Sequence, residues 1–581
     1  MSGENYESRG KNRTNQHRSG QARSGQSRGG AEREGYRRGE PSSNQRSARR
    51  NENGSGAGFT KRGGGGETRR NAKGRERNRQ SLDNRQKSQL APGARRRSAD
   101  PARLTAFQVI NAVAQEDAYA NLVLPKLIRQ NHLDHRDAGF ATELTYGTLR
   151  NQGTYDAILV HCVDRSLEKT GAQILTALRM GTHQLLGMRV PAHAALNSTV
   201  ALARAEIGSG PASFINAVLR RVSERSEEQW QELITADAKD DFQRLALTKS
   251  HPAWVVRAFR QALAAHGRSP EEISALLDAD NTAPVVNLVA LPGLGSLDEA
   301  EDNGAIPGKL VEGSAYYSSG DLGRLTSVRE GTVRVQDVGS QLVARALTEA
   351  PLEGTDQAWL DLCAGPGGKA ALLGALAQQR GAQVLANESA KHLAKLVASS
   401  MKPLAEDTYK VVTGDGRKIA ETVQKQSLLP VGLQAGQLFD RVMVDVPCSG
   451  LGALRRRPEA RWRKTPRDIA ELLLLQKELF DAAASVTRSG GLIAYVTCSP
   501  HMAETQNIVH DILRDGGMEL LDSGAALRSV ALKNAAGESV LTGDLDPSYT
   551  PDSKHPNETT AQLWPHIHQT DAMFFALFRK K

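Results

Sequence analysis

From about Val335 to its last residue, the chain alternates short apolar stretches with longer amphipathic ones, and this alternation restricts the fold more than any other feature. Strands are predicted at residues 358–362, 383–386, 410–413, 441–445, 492–497 and 573–578. Helical stretches lie between them, and strands that alternate with helices form a sheet with a parallel core. Residues 525–562 are polar and rich in Gly, Pro and Asp, which indicates an excursion before the last strand. We therefore predict an α/β domain over residues 336–581.

The preceding part of the chain has a helical pattern. Apolar residues recur at three- and four-residue spacing in stretches near 104–114, 120–128, 138–150, 174–186, 192–205 and 213–222. This spacing is typical of amphipathic helices. We predict an all-helical domain over residues 99–228. Residues 229–335 are predicted to form a helical connector, with a helix that begins after Pro252, followed by a small α/β insert with β-like stretches at 286–291 and 332–335.

Residues 1–98 differ from the rest of the chain in charge and composition. They carry 25 Lys and Arg against 9 Asp and Glu, a net charge of +16, whereas the remaining residues carry 50 against 56, a net charge of −6. With almost no large apolar side chains, this segment cannot offset the entropy of ordering, so we expect a disordered Arg/Gly-rich basic tail. Such a tail adheres to RNA phosphates; a solubilising linker is the alternative. RNA contacts in the folded part would have to come from a local patch.

Cysteine usage and hydropathy exclude several classes of protein. Four cysteines among 581 residues cannot form a disulfide framework, and no Cys/His spacing indicates a metal site. There is no apolar run of about 18 residues for a membrane span, and the N-terminus lacks the apolar core of a signal peptide. We therefore expect a soluble, cytoplasmic monomer that has no membrane partner and no metal.

A glycine-rich turn follows the first predicted strand of the α/β domain. It consists of Cys363, Ala364, Gly365, Pro366, Gly367, Gly368 and Lys369, and it precedes a helix predicted over 370–378. Glycines at such a turn let a ligand approach the backbone closely, at the edge where open α/β sheets bind ligands. A nucleoside triphosphate loop would need Gly at position 363 and Ser or Thr at position 370, where Cys363 and Ala370 stand, so that class of site is excluded.

Carboxylates follow the second and third strands of this domain. Glu388 lies about 20 residues beyond the glycine loop, where a carboxylate can accept from the hydroxyls of a ribose. Asp415 could accept from an adenine amino group. Each has an ordinary alternative, a helix-start acid for Glu388 and a turn aspartate for Asp415. Together with the loop, they favour a ligand that contains adenosine.

Two cysteines follow the fourth and fifth strands. Cys448 lies in the sequence Asp-Val-Pro-Cys-Ser-Gly that begins at Asp445, and Cys498 lies in Thr-Cys-Ser-Pro-His. A lone cysteine usually serves as a small core residue, which we expect for Cys162. Two cysteines in turns, each close to Pro and Ser, do not fit that role.

A thiolate is suited to pyrimidine chemistry, because C5 of a pyrimidine becomes reactive only after a nucleophile adds at C6, and a thiolate both attacks and leaves well. Ser499 as a helix cap, with Pro500 at the first helical position, would place Cys498 beside a helix N-terminus, which lowers the pKa of a thiol. Cys448 is the candidate for assisting loss of the C5 proton.

These motifs resemble the Nop/Sun family of RNA cytosine-C5 methyltransferases. The resemblance rests on the glycine loop, Glu388, Asp415, the hexapeptide that begins at Asp445 and the triplet that begins at Thr497. The helical region resembles the NusB-type domain that accompanies this catalytic unit, through residues 146–150 and 214–221. Residues 250–254, 335–342 and 455–462 add to the resemblance, which covers roughly residues 101–581.

The resemblance implies an all-α NusB-like RNA-binding domain followed by an α/β Rossmann-like methyltransferase domain of the seven-stranded class I type. It implies S-adenosylmethionine as cofactor and C5 of a cytosine in small-subunit (16S) ribosomal RNA as target. The cysteine that matches Cys498 attacks C6, and the one that matches Cys448 serves product release. The loop from Cys363 to Lys369 contacts the cofactor, as do Glu388 at the ribose and Asp415 at the adenine. Asp445 lies between the methyl donor and the base, and we expect it to touch the cytosine edge near N3.

The expected partner is single-stranded or loop RNA, because the target base must leave its stack to reach these groups. The arginines from Arg455 to Arg463 are expected to hold nearby phosphates. The sequence departs from the family pattern in three places. Glu388 stands where Asp is common, Val285 stands where an arginine usually precedes the Val-Asn pair, and the segment after Asp571 lacks a common glycine, which we interpret as core packing.

Two alternatives stay open from the sequence. A methyltransferase-fold scaffold that only binds ribosome or transcription complexes would be expected to have lost a catalytic residue, yet both cysteines and all three carboxylates are present. DNA cytosine methylation would use the same thiolate chemistry, but the motif order expected of such enzymes is missing.

Overall fold

The structure, a computed structural model, describes residues 99–318, 320–541, 545 and 559–581. The tail predicted over residues 1–98 lies outside the described residues, and so do residues 542–544 and 546–558 of the excursion predicted over 525–562. No helix in the described part of the chain is long and apolar enough to cross a membrane.

The first part of the described chain is helical, as predicted. Its helices are α1 (Pro101–Gln115), α2 (Ala120–Gln130), α3 (His135–Arg150), α4 (Gln152–Cys162), α5 (Ala172–Leu186), α6 (Ala192–Glu206) and α7 (Ser209–Val222). Helix α1 begins where the Asp100 carboxylate accepts from the backbone N–H of Arg103, with Pro101 in the first turn. Helix α4 was not predicted, and Cys162 at its end is a buried core residue, as expected.

The connector and insert follow. The connector contains α8 (Glu227–Thr235), α9 (Asp241–Thr248), α10 (Ala253–Ala265) and α11 (Ile273–Asn281). Helix α10 begins directly after Pro252, as predicted. The insert contains β1 (Val286–Ala290), α12 (Asp298–Asp302), β2 (Ile306–Pro307), β3 (Ser314–Tyr317), α13 (Thr326–Glu330) and β4 (Val333–Val335). These strands form an antiparallel sheet in the order β2-β3-β1-β4.

The last part of the chain is the predicted α/β domain. Its elements are α14 (Val338–Glu349), β5 (Ala358–Asp361), α15 (Gly368–Arg380), β6 (Gln383–Glu388), α16 (Lys391–Met401), β7 (Tyr409–Thr413), α17 (Ile419–Val423), β8 (Phe439–Asp445), α18 (Ala460–Arg463), α19 (Pro466–Val486), β9 (Thr487–Thr497), α20 (Gln506–Arg514), β10 (Met518–Leu520), α21 (Ser523–Val530), β11 (Ala561–Gln562), α22 (Pro565–His568) and β12 (Phe574–Lys580). All six predicted strands are present, and β10 and β11 are additional.

The sheet of this domain has the order β10-β12-β9-β8-β5-β6-β7, with β11 paired to β12. Strands β5 to β9 are mutually parallel, whereas β12 runs antiparallel to β9 and β10. Helices α14, α15 and α21 pack on one face of the sheet, and α17, α19 and α20 pack on the other. Because the carboxyl ends of parallel strands meet at one edge, this topology gathers the predicted site residues there.

The segment 455–463, which follows the Cys448 turn, is held by the interior of the protein. The guanidinium group of Arg461 is completely buried, and it donates to Ser250 O at 3.0 Å, Asn281 Oδ1 at 2.7 Å and Asp280 O at 3.3 Å. Burial lowers the pKa of Arg461 to about 10, so the side chain is still charged at neutral pH. These contacts connect the segment to the helical connector.

The same segment contacts the helical domain. The ring of Tyr119, between α1 and α2, lies 4.9 Å from the guanidinium carbon of Arg457 and 4.6 Å from that of Arg463. Arg463 also donates to the backbone carbonyl of Ala118. The backbone N–H of Ala120 donates to Glu459 Oε1 at 3.1 Å. Cation–π contacts and a buried hydrogen bond therefore fix the helical domain to this segment.

The prediction that the arginines from Arg455 to Arg463 hold phosphates is wrong for most of them. Arg455 and Arg461 are buried. Arg456 forms an ion pair with the buried carboxylate of Asp571, and Arg463 binds the carbonyl described above. The guanidinium groups that were predicted to bind RNA phosphates therefore bind carboxylates and carbonyls inside the protein.

We predict that Arg461→Ala lowers the free energy of unfolding by about 3 kcal/mol, because it leaves several buried acceptors without their charged donor. Urea denaturation followed by circular dichroism measures the loss. Arg467→Ala, at an exposed position just beyond the segment, is the matched control and should change the free energy by no more than about 0.5 kcal/mol. Equal losses in the two variants would contradict the anchoring role of Arg461.

Candidate active site

The residues predicted for the site end or follow consecutive parallel strands. The glycine loop begins two residues after β5, Glu388 is the last residue of β6 and Asp445 is the last residue of β8. Asp415 lies two residues beyond β7, and Cys498 directly follows β9. All of these positions therefore lie at the carboxyl edge of one sheet.

The glycine loop and Glu388 are bound to each other. The backbone N–H of Gly365 donates to Glu388 Oε2 at 3.0 Å, and that of Ala390 donates to Oε1 at 2.8 Å. A Cβ atom at position 365 would collide with the Glu388 carboxylate, and Gly367 has a φ of +111°. Glycine is required at both positions, for close approach at the first and for a left-handed backbone at the second.

Asp415 differs from Glu388 because a neighbouring cation already binds it. Both of its carboxylate oxygens accept from the guanidinium group of Arg417, which also donates to Glu478 Oε2 at 3.0 Å. The hydrogen bond from Arg417 lowers the pKa of Asp415. An adenine amino group would therefore share this carboxylate with Arg417.

The two cysteines lie in contact, with 3.3 Å between Cys448 Sγ and Cys498 Sγ. Beside them, Lys369 Nζ donates to Asp445 Oδ2 at 2.8 Å. The hydrogen bond between the two sulfurs lowers the pKa of Cys498, against the opposing effects of burial and of the Asp445 charge, and the charge of Lys369 also lowers it. The same hydrogen bond, together with burial, raises the pKa of Cys448. The opposite directions of these two pKa shifts favour Cys498 as the thiolate and Cys448 as the thiol.

Asp361, which ends β5, and Cys363, the first residue of the glycine loop, both lie in surroundings that disfavour their ionised forms. Burial, with the nearby charge of Asp445, raises the pKa of Asp361 to about 7. Burial also raises the pKa of Cys363 well above its ordinary value. Cys363 is therefore a thiol at neutral pH.

The predicted helix cap at Ser499 is wrong. After Cys498 the chain forms a short 3-10 turn, Met502–Glu504, and helix α20 begins only at Gln506 with Thr505 as its cap. The Ser499 hydroxyl donates instead to Glu504 Oε2 at 2.7 Å. A helix N-terminus therefore does not explain the lowered pKa of Cys498, and the contact with Cys448 does.

The sequence interpretation missed Glu504 and Gln476, which support the cysteine turns from behind. Gln476 lies on the buried stripe of α19 and donates to Pro447 O at 3.0 Å and to Glu504 Oε1 at 3.1 Å. A glutamine on an apolar helical stripe was the available signal, since buried amides need hydrogen-bond partners. Glu504 had no comparable signal, because an acid in a turn after a strand is ordinary.

The segment after Asp571 was interpreted as core packing alone, and its position corrects that view. The backbone N–H of Ala572 donates to Gly452 O at 2.8 Å, and the N–H of Gly452 donates to Cys498 O at 2.8 Å. A Cβ atom at position 452 would collide with Ala572 O. This segment therefore braces the backbone of the nucleophile candidate.

Two family models match the two parts of this chain. The model of the 16S rRNA methyltransferase RsmB/F family matches residues 346–579, and that of the NusB family matches residues 100–224. A Mycobacterium tuberculosis protein named as a methyltransferase is 44% identical over 490 residues, which cover 84% of this chain and 98% of that protein. Ribosomal RNA small subunit methyltransferase B of Escherichia coli is 30% identical over 430 residues, which cover 73% of this chain and 92% of that protein. The chain belongs to the RsmB/F family of rRNA methyltransferases.

The architecture of this RsmB/F family member also has a counterpart among solved structures. The crystal structure of the protein PH0851 superposes with a TM-score of 0.66 at 19% identity, over 83% of this chain and 99% of that one. At this identity the likeness concerns the fold alone. The predicted family and the predicted fold class, a NusB-like helical region before an α/β methyltransferase domain, are confirmed.

In this RsmB/F member we predict that Cys448→Ala raises the pKa of Cys498. The thiol of Cys448 stabilises the Cys498 thiolate by a hydrogen bond, so its removal moves ionisation to higher pH and slows alkylation at pH 7 severalfold. Iodoacetamide alkylation of the Cys498 peptide, followed by mass spectrometry as a function of pH, gives the midpoint. Cys162→Ala, in the core of the helical domain, should leave the midpoint unchanged. If the alkylation midpoint of Cys498 is the same in Cys448→Ala, the lowered pKa of Cys498 would be due to Lys369 and not to Cys448.

Proposed function

We propose that this enzyme transfers a methyl group from S-adenosylmethionine to C5 of a cytosine in small-subunit ribosomal RNA. In this proposal Cys498 is the nucleophile and Cys448 its partner in product release. The observation that carries the proposal is the 3.3 Å contact between the two sulfurs beside the Lys369–Asp445 ion pair. The names of the family and of its Escherichia coli relative support ribosomal RNA as the substrate.

The residues around the glycine loop fit a polar adenosine-containing cofactor. Among the described residues, both side-chain polar atoms of Gln336 and the Oδ1 atom of Asn387 are buried without a hydrogen-bond partner. A Cβ atom at Gly368 would lie 3.9 Å from Gln336 Cδ, and one at Gly414 would lie 3.4 Å from Asn387 Oδ1, so both amides lie at the site edge. Buried amides without partners favour a ligand that supplies donors and acceptors.

We assign the cofactor to the loop Cys363, Ala364, Gly365, Pro366, Gly367, Gly368 and Lys369, with Glu388 at the ribose, Asp415 at the adenine and Asp445 near the methyl group. When bound, S-adenosylmethionine supplies an electrophilic methyl group. Glu388 keeps lone pairs for ribose hydroxyls while it accepts from Gly365 and Ala390. The loop and the carboxylate therefore form one preorganised surface.

The chemistry assigned to this chain's residues is covalent catalysis. The Cys498 thiolate forms a bond to C6 of the cytosine, which makes C5 electron-rich. The Asp445 carboxylate accepts from the amino group beside N3 of the base, where uracil carries a carbonyl, and Lys369 holds that carboxylate in place. After methyl transfer the C5 proton passes to water, and the electrons of the C5–H bond re-form the double bond between C5 and C6. The bond between Cys498 Sγ and C6 breaks, its electrons return to sulfur as the thiolate, and Cys448 assists that release.

Access to these groups requires an unstacked base, so we propose single-stranded or loop RNA as the partner. We assign residues 99–228 to a NusB-like RNA-binding domain, 229–335 to the connector and insert, and 336–581 to catalysis. Since the arginines of segment 455–463 bind internal groups, phosphate contacts are assigned to other basic side chains of the helical domain and to the tail.

We predict that Cys498→Ala abolishes methyl transfer and that Cys448→Ala accumulates an RNA–protein adduct that survives denaturation. Loss of the nucleophile prevents bond formation to C6, whereas loss of the release partner leaves that bond intact. Labelled-methyl transfer onto total RNA and DNA, with denaturing electrophoresis for the adduct, tests both. Cys162→Ala should behave as the unmodified enzyme.

The same assay separates the competing functions. Label in DNA but not in RNA would replace the RNA substrate with DNA, and no label in either would sink the enzymatic proposal. An adduct in Cys498→Ala rather than in Cys448→Ala would exchange the two cysteine roles. Bisulfite sequencing of ribosomal RNA from cells with and without the protein then identifies the nucleotide.

We predict that Glu388→Ala weakens cofactor binding by roughly 10- to 100-fold, the equivalent of losing hydrogen bonds to a charged group. Isothermal titration calorimetry with S-adenosylmethionine measures the dissociation constant. Glu421→Ala, at an exposed position on the nearby helix α17, is the control and should bind normally. Equal affinity in Glu388→Ala would remove Glu388 from the cofactor site.

A further inference from the structure

The carboxylate of Glu504 connects the two cysteine turns. Its side chain is fully buried. Oε1 accepts from the backbone N–H of Ser449 at 2.8 Å and from Gln476 Nε2 at 3.1 Å. Oε2 accepts from the hydroxyl of Ser449 at 2.5 Å and from that of Ser499 at 2.7 Å. Ser449 follows Cys448 and Ser499 follows Cys498, so one carboxylate holds the residue after each sulfur.

We propose that Glu504 is a positioning residue that holds the two cysteine turns at their contact distance and assigns the nucleophile's role to Cys498. The inference rests on the proposed function, in which these sulfurs have different roles. Glu504 itself lies behind the turns and acts through Ser449 and Ser499.

The contacts of the Glu504 carboxylate indicate that it is buried for a functional reason. All four donors to the carboxylate are uncharged: two hydroxyls, one amide side chain and one backbone N–H. Burying a carboxylate is costly, and an apolar side chain would fill the same space without that cost. What an apolar side chain could not do is bind both serines at once and thereby fix the distance between the turns.

The surroundings make this a rigid frame. The Tyr495 hydroxyl, on β9, donates to the backbone carbonyl of Glu504 at 2.8 Å. Gln476, on α19, binds the carboxylate and also Pro447 O, the carbonyl before Cys448. The backbone of Glu504 is thus fixed from the sheet and its carboxylate is fixed from a helix, so the bonds to the serines transmit a fixed geometry to the sulfurs.

The charge of Glu504 also distinguishes the two sulfurs. It contributes to the raised pKa of Cys448, whose largest cause is the hydrogen bond to Cys498. At Cys498 the lowering causes are the thiol of Cys448 and then the charge of Lys369. A negative charge behind the Cys448 turn therefore adds to the causes that favour the protonated form of Cys448, and a protonated Cys448 can donate to the thiolate of Cys498.

Glu504→Gln in the full chain tests the proposal, because it keeps the side-chain shape while it removes the charge and replaces one acceptor with a donor. Without the negative charge the pKa of Cys448 falls, so we expect Cys448 to be alkylated at lower pH and the preference of iodoacetamide for Cys498 to shrink severalfold. Methyl transfer should show a kcat lowered about 10- to 100-fold, as for a displaced reacting group, with unchanged KM values for RNA and S-adenosylmethionine. Glu471→Gln, at an exposed position on α19, should match the unmodified enzyme in both assays.

If the Glu504→Gln protein folds and iodoacetamide prefers Cys498 over Cys448 as strongly as in the unmodified enzyme, the proposal is overturned. If that variant fails to fold, Ser449→Ala and Ser499→Ala each remove one donor with little change of volume, and each should reduce the preference by a smaller factor. Unchanged preference in both serine variants would likewise overturn it. The alkylation assay needs no RNA, whereas failure of the proposed function would appear as absent methyl transfer and absent adduct in the Cys448→Ala enzyme.

Discussion

The parallel ladder between β8 and β9 determines where the two cysteines that we propose for catalysis lie. Asp445 pairs with Val496 at the end of both strands, and the chain reaches Cys448 three residues later and Cys498 two residues later. A slip of two residues would keep every side chain on its face of the sheet but move one sulfur by about 7 Å, given the rise per residue of a strand. The 3.3 Å contact between the sulfurs therefore depends on this register. The carboxylate of Glu504 then connects the two cysteine turns through Ser449 and Ser499. It can reach both serines because the strand register holds the turns close together.

Much of this frame was predictable from the sequence, because repeated local patterns produce it. The six strands and the carboxyl-edge turns follow from apolar runs punctuated by Gly, Pro and Ser. Strands β10 and β11 were missed because runs of three and two residues show no period. Helix α4 was missed because its buried face mixes Thr154 and Tyr155 with aliphatic residues. The predicted cap at Ser499 failed for another reason: the hydroxyl found a stronger acceptor in Glu504, and the chain turned through a 3-10 segment before the helix began.

The arginines of segment 455–463 show why charge does not identify a partner. From sequence, a basic run after a catalytic motif in an RNA-modifying family predicts phosphate contacts. In the structure, Arg461 binds groups near residues 250 and 280, and Arg456 pairs with Asp571. These partners are more than a hundred residues away along the chain, so no local pattern reveals them. A guanidinium group with several internal acceptors at hydrogen-bond distance is already satisfied, and a buried one cannot reach a phosphate.

These internal contacts join the turn that carries Cys448 to the helical domain. Starting from Cys448, the chain is bound to Glu504 at Ser449, to Cys498 at Gly452 and to Asp571 at Arg456. It then reaches the connector at Arg461 and the helical domain at Arg463. A hydrogen bond or ion pair thus recurs every few residues from Cys448 to Arg463, whose guanidinium group contacts Tyr119. Because the groups along this stretch are closely packed, the Cys448 turn and the helical domain have little room to move independently. The helical domain is therefore more than an appended module, because it holds the far end of the segment whose near end carries Cys448.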